Sequence, residues 1–332
     1  MEQIILKVRI ILARIHNSFI VFLNRCLSLS LIPRAYLKVK ELNRYRDQNG
    51  NVSLIILCEH LGDIIACEPV SEYLKKQNNS TVVWIVNEKY KEILYLFEAV
   101  DKIVSVSCIS EYIYMSYFLK TYDVHNLHFD MKECSKYGLF LRNNNTRYHI
   151  GNYVKHGSLL ETFSATGNLP RLKEKPKLRL DKENRFPELN VPYIVIQIES
   201  NEQSRTWMVE KWEELLNSFP EYKFVEVGLK PSLSHISNCD SSYCGKLSII
   251  DIAYIVNSCF AFIGIDSSLA HYANALDKNS IIMLGKYHDY DNYIPYAKYG
   301  DNFKIIQCPE TVSELPVSRV VREFNMLVSK YE

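Results

Sequence analysis

From Asn51 onward the chain alternates short, wholly apolar runs with longer stretches in which apolar residues recur every three or four positions. Runs of five or six apolar residues between turn-formers read as buried strands, and the longer period reads as helices packed on one face. The segment "NVSLIILC" is the first strand, and "HLGD" opens a helical stretch from about Ile64 to Gln77. "TVVWIV" is the next strand, "EKYKEILYLFEA" the next helix, "DKIVSVSC" a third strand and "YDVHNLHF" a fourth, while residues 150–168 read as helical. Strand followed by helix in this order predicts a parallel α/β sheet.

Between residues 171 and 192 the pattern lapses into prolines and dense charge, which marks a linker. It then restarts: strand "YIVIQI", a helix from about Val209 to Phe219, strand "KFVEVGL", helix "IIDIAYIVNSC", strand "FAFIGI", helix "SLAHYANAL" and strand "SIIML". The restart predicts an α/β fold of two Rossmann-like domains facing a cleft, over residues 51–170 and 193–314. A last helix, 315–332, is placed to cross back onto the first domain. Residues 1–50 precede this pattern as a helical extension.

That extension differs in charge. Its first 46 residues hold nine Lys or Arg against Glu2 and Glu41, giving +7 in a chain whose net charge is only +1. Arg14, Arg25 and Arg34 interrupt its apolar run before it reaches the about 18 to 20 residues of a membrane span. Nor does a small-residue cleavage site follow a short apolar core, so no secretory signal is expected. Apolar residues interleaved with Lys and Arg fit a basic amphipathic helix, either on an anionic inner-membrane surface or docked on protein. Over the whole chain, 47% hydrophobic and 23% charged residues are those of a globular protein, and with a net charge of +1 nothing global suggests a nucleic-acid partner, so none is expected. Nine cysteines without a C-x-x-C pair indicate a reducing, cytoplasmic interior.

Ligands of parallel sheets bind beyond the carboxyl ends of the strands, which selects three loops. In "CEHLGDIIACEP", Gly62 permits a tight turn and Asp63 stands at a helix start, beside His60. From this loop alone Asp63 reads as an N-cap or as a base. In "FIGIDSSLAHYANAL", the backbone amides of Ser267, Ser268 and Leu269 form a candidate phosphate site, with Asp266 turned toward sugar or ribose hydroxyls and His271 one turn on. In "ESNEQSRTWMVEKWEELL", Arg205 is suited to fork onto a diphosphate. No G-x-G-x-x-G, P-loop or H-E-x-x-H occurs.

In this order the loops "LGDIIACEPVSEYLKK", "RTWMVEKWEELL" and "GIDSSLAHYANALDKNSIIMLG" resemble those of the heptosyltransferases, bacterial glycosyltransferases of GT-B fold, over roughly residues 52–300. The resemblance implies Asp63 as general base, Arg205 at the phosphate-binding cation, and Asp266, Ser267, Ser268, Leu269 and His271 as the donor motif. It also implies phosphate contacts at Ser200 and Asn201, with His60 and Gly62 on the acceptor side. The expected reaction is inverting, with a nucleotide-diphosphate sugar as co-substrate, a glycan or lipid-linked glycan as acceptor, and neither metal nor cofactor. Ser268 stands where the family has glycine, Gln197 to Ser200 replace a His-Pro-Gly start, and Lys286-Tyr287 follow Gly285 in place of Pro-Thr, which leaves the sugar open. A nucleotide-sugar epimerase would enlist His288 and Asp289, a metal-dependent transferase Asp289 and Asp291, and a non-catalytic sugar-nucleotide binder neither.

Overall fold

The computed structural model describes residues 18–119, 122–200, 202–231, 239–287 and 293–329. Residues 1–17 of the extension, Asn201, and the His288, Asp289 and Asp291 of the rival readings lie outside the described residues.

The first domain is a parallel sheet of β1 (Val52–Ile56), β2 (Thr81–Asn87), β3 (Lys102–Val106) and β4 (Asp123–Asn126), in the order β3-β2-β1-β4. β1 is buried at every residue, as an apolar run covered on both faces requires. The helix expected from Ile64 to Gln77 is two helices, Leu61–Ala66 and Glu68–Asn78. Cys67 leaves helical geometry and Pro69 starts the second helix, because its ring cannot continue the first. The segment expected as an α-helix at Glu88–Leu96 winds as a 3₁₀-helix, and the stretch 150–168 resolves into a 3₁₀ turn at Tyr153–His156 and the helix Leu159–Thr166. A small antiparallel hairpin, β5 (Lys132–Glu133) and β6 (Phe140–Leu141), follows β4 and has no counterpart in the hydrophobic pattern.

The second domain carries six parallel strands: β7 (Tyr193–Gln197), β8 (Lys223–Glu226), β9 (Cys239–Ser242), β10 (Ala261–Ile265), β11 (Ser280–Leu284) and β12 (Phe303–Gln307). Their order, β12-β11-β10-β7-β8-β9, is the doubly wound Rossmann arrangement, and it reverses direction between β7 and β10. The last helix, Val317–Val328, was expected to cross back onto the first domain. Instead it buries Val320, Phe324 and Leu327 against Trp212, Leu216 and Ile281 of the second, because its apolar stripe matches the exposed flank of that sheet.

One hydrophobic core runs through both domains, from Ile64, Phe129 and Tyr153 to Leu269, Tyr272 and Tyr293. The linker is extended and engaged on both sides. Lys177 N donates to the buried Glu68 carboxylate at 3.0 Å, Leu178 N to Ala275 O at 3.4 Å, and Arg179 N to Leu96 O at 3.0 Å.

Candidate functional site

Each sheet reverses its strand order once, between β1 and β4 and between β7 and β10, and there the loops part to leave room for a ligand. The loop after β1 carries His60, Gly62 and Asp63; the loop after β10 carries Asp266 to His271; the loop after β7 leads to Arg205. The fold therefore brings all three predicted loops to one place.

The contact between them is close. A Cβ added to Gly62 would lie 2.9 Å from His271 Cδ2 and 3.3 Å from Ser268 Cα, so the first helix of one domain rests directly on the helix Ser268–Ala275 of the other. Only glycine fits at that spacing. Just before it, His60 adopts a left-handed backbone (φ 67°), an uncommon state for a residue with a side chain. This turn aims Asp63 toward the junction.

Asp63 is half-buried, in the first turn of its helix. Burial pushes its carboxyl up to about 7; the Lys132 ammonium opposes the rise and the Asp266 carboxylate adds to it. A carboxyl so placed exchanges a proton near neutral pH. Lys132, at the start of the hairpin, lies 3.6 Å from Glu59 and 3.1 Å from His60 Nε2. Burial, with Lys132 and Lys89 adding to it, lowers His60 to about 4, so its imidazole is neutral and accepts from the ammonium. Lys132 was not singled out in the sequence. It follows β4, the other strand at the reversal, and that position was the available signal.

Asp266 is bound differently from the expectation that it would face sugar hydroxyls. Tyr296 donates to its Oδ1 at 2.8 Å, and Arg205 Nη1 lies 3.7 Å from Oδ2 and donates to its carbonyl at 3.0 Å. Burial raises its carboxyl, against the pull of Arg205 and Tyr296. Arg205 also pairs with Glu202 at 2.7 Å and sits 5.6 Å from the Tyr287 ring centre. Burial works against its charge, and Asp266 and Glu202 more than offset that. His271 does not orient Asp266. It is buried against the Tyr296 ring at 4.8 Å, lowered to about 3 by burial, and serves as the surface on which Gly62 rests.

Two of the expected phosphate contacts are taken up internally. Ser267 caps its helix by accepting from Leu269 N at 3.2 Å, so that amide is engaged, and it donates to Gln197 Oε1 at 2.5 Å. Ser200 closes its own turn, accepting from Glu202 N at 3.0 Å and donating to Glu202 O at 2.8 Å.

Tyrosines wall the junction. Tyr153 of the first domain meets the Tyr287 hydroxyl of the second, and Tyr293 lies 5.2 Å from Tyr287 and 6.5 Å from Tyr153, ring to ring. Tyr293 is 8% exposed, and its hydroxyl has no hydrogen-bond partner among the described residues. Burial, then Tyr287, Asp266 and Asp63, hold it well above the usual tyrosine range, which makes it a permanent donor set near both carboxylates. Tyrosine is too common a core residue for sequence alone to mark this role.

Two Rossmann-like domains meeting at the carboxyl ends of their strands, with an acid from one apposed to an acid–guanidinium pair of the other, define a glycosyltransferase of GT-B architecture. The chain belongs to glycosyltransferase family 9 (heptosyltransferase), whose description matches residues 131–314, more than half of its length. Among solved structures it is similar to a family 9 glycosyl transferase from Veillonella parvula DSM 2008, with TM-score 0.65 and 15% identity over 84% of this chain and 98% of that one. The E. coli ADP-heptose lps heptosyltransferase II gives TM-score 0.64 and 15% identity over 85% and 99%. The E. coli heptosyltransferase WaaC with ADP gives 0.57 and 16% over 83% and 99%. No curated protein sequence matches the chain.

Proposed function

We propose that this glycosyltransferase moves a sugar from a nucleotide-diphosphate donor to a glycan or lipid-linked glycan acceptor in one inverting, metal-independent step. Asp63 takes the proton of the attacking acceptor hydroxyl. Arg205 and the amides of Ser267 and Ser268 hold the diphosphate and stabilise the charge that develops as it leaves. A nucleotide diphosphate is already a good leaving group, so one base and one cationic anion site are sufficient. Asp266, bound to Tyr296 and Arg205, is not a second nucleophile for a double displacement.

The observation that supports this reading is the close approach of Gly62, the residue before Asp63, to Ser268 and His271. Tyr293 Oη, buried and without a hydrogen-bond partner among the described residues, is assigned to an oxygen of the transferred sugar. Solved relatives of this fold carry ADP and ADP-2-deoxy-2-fluoro heptose, which makes ADP-heptose the first donor to try. The nine free cysteines fit a reducing cytoplasm, and the enzyme's place there is taken to be the inner membrane surface.

The test is to incubate Asp63→Ala with donor and acceptor and to titrate nucleotide diphosphate separately. Transfer is expected to vanish while nucleotide affinity stays within about twofold. Transfer at the wild-type rate would overturn the assignment of the base. A panel of ADP, GDP and UDP read by melting temperature identifies the base of the donor, since the specific ligand stabilises in proportion to its occupancy.

A further inference from the structure

The helix Ser18–Asn49, broken by a 3₁₀ turn at Leu29–Leu31, is long and apolar enough to cross a bilayer by length and composition, although Arg25 and Arg34 interrupt its apolar run. Its second half buries Ala35, Val39 and Leu42 beneath the first sheet. Among the described residues, the ties of its first half run along one face. Val21 Cγ1 stands 3.7 Å from the Cβ position of Gly138, Arg25 donates to Gly138 O at 3.2 Å, and the hydroxyls of Ser28 and Tyr114 are 2.7 Å apart. Positions 21, 25 and 28 share one side of a helix.

The opposite side carries Phe19, Phe22, Leu23 and Leu27, which are 57%, 61%, 43% and 62% exposed, with no charge among them. Tyr117 and Phe118 extend the exposed apolar surface next to Tyr36, and Phe140 does so on the hairpin that Arg25 grips. Beyond it the exposed residues Leu37, Lys40 and Arg44 recur at helical spacing. Over residues 18–49 six Lys or Arg face two acids. An uncharged apolar strip of this size is not left in water without a partner, and cations at its border suit lipid phosphates. A crossing helix would be stripped of the ties at Val21, Arg25 and Ser28, so the geometry is that of a helix lying along the surface.

We propose that the outward face of residues 19–37 sits in the headgroup region of an anionic bilayer, parallel to its plane. The helix grips the hairpin whose first residue is Lys132, the neighbour of Asp63, so the base opens near the membrane and a lipid-held acceptor reaches it from there. This second statement rests on the proposed reaction; the membrane contact itself does not.

Full-length protein is mixed with vesicles of phosphatidylcholine alone or with phosphatidylglycerol, and the bound fraction is measured by flotation. Binding to the anionic vesicles is expected to exceed that to neutral ones by about tenfold or more and to fall at least tenfold in the fourfold variant Phe19→Ser, Phe22→Ser, Leu23→Ser, Leu27→Ser. Transfer to a soluble acceptor fragment stays unchanged in that variant, which separates this proposal from the assignment of Asp63. As a second readout, an environment-sensitive dye on the exposed Cys26, on the same outward face, shifts to the blue with anionic vesicles. No binding by the wild type, equal binding by the variant, or a dye that does not respond overturns the proposal. So does a wild type that dimerises through this face, turns monomeric in the variant and never binds vesicles.

Discussion

Asp63 is a carboxyl that the fold keeps from ionising easily, and this fixes the sign of its pH behaviour. With burial pushing this carboxyl up to about 7, kcat/KM is expected to fall as the pH drops through that value because the protonated acid cannot accept the acceptor's proton. Asp63→Asn removes that rising limb and lowers transfer by about 10²- to 10⁴-fold. A carboxyl raised on folding opposes stability once the pH exceeds its ordinary value, and increasingly up to its raised one. Asp63→Asn should therefore melt higher than the wild type at pH 8, and a lower melting temperature there would refute the burial argument. Lys132 opposes the rise, so Lys132→Gln is expected to move the limb upward by about half to one pH unit, read from the pH dependence of kcat/KM. Tyr293→Phe removes a hydroxyl with no partner among the described residues, so melting is unchanged or raised while KM for the donor sugar increases. Unaltered kinetics would detach Tyr293 from the sugar. Asp63, Asp266 and Arg205 were singled out because their loops follow strands and, taken in order, resemble those of the heptosyltransferases; from its own loop Asp63 read equally as an N-cap. Lys132 and the tyrosines were not, since their meaning depends on which strand lies next to which.

At the level of elements, the buried strands were legible because β1, β7, β10 and β11 are apolar at nearly every position. β9 reads Cys-Asp-Ser-Ser and lies at the sheet edge, where one covered face is enough, so no apolar run announces it. The break at Cys67 and the 3₁₀ winding of Glu88–Leu96 are decided by Pro69 and by packing, which periodicity does not separate from one continuous helix. The turn holding Arg205 depends on the element after β11. A Cβ on Gly285 would stand 2.1 Å from Ser204 O, a backbone atom that cannot step aside. Gly285→Ala should thus displace Arg205, weaken nucleotide binding about tenfold or more in a calorimetric titration, and leave the sheet intact by circular dichroism.

For the molecule as a whole, two α/β units were predicted and two are present, yet they share one hydrophobic core. That sharing predicts a single cooperative unfolding transition by calorimetry, with two resolved transitions as the contrary result. Sequence patterning counts domains by where a strand–helix series restarts; it carries no information on how much surface the two series then bury against each other.

The segment between the two units, rich in proline and charge, looks on paper like a tether. Its leucines at 172 and 178 are buried while Lys173, Lys177 and Arg179 are exposed, and its amides stitch the helix behind Asp63 to the helix behind Asp266. Trypsin meets Lys173, Lys177 and Arg179 there in close succession, and a loose tether would be cut at once. A suture of this kind is expected to resist the protease until the whole protein melts, and early cleavage at these three sites would show a loose tether instead.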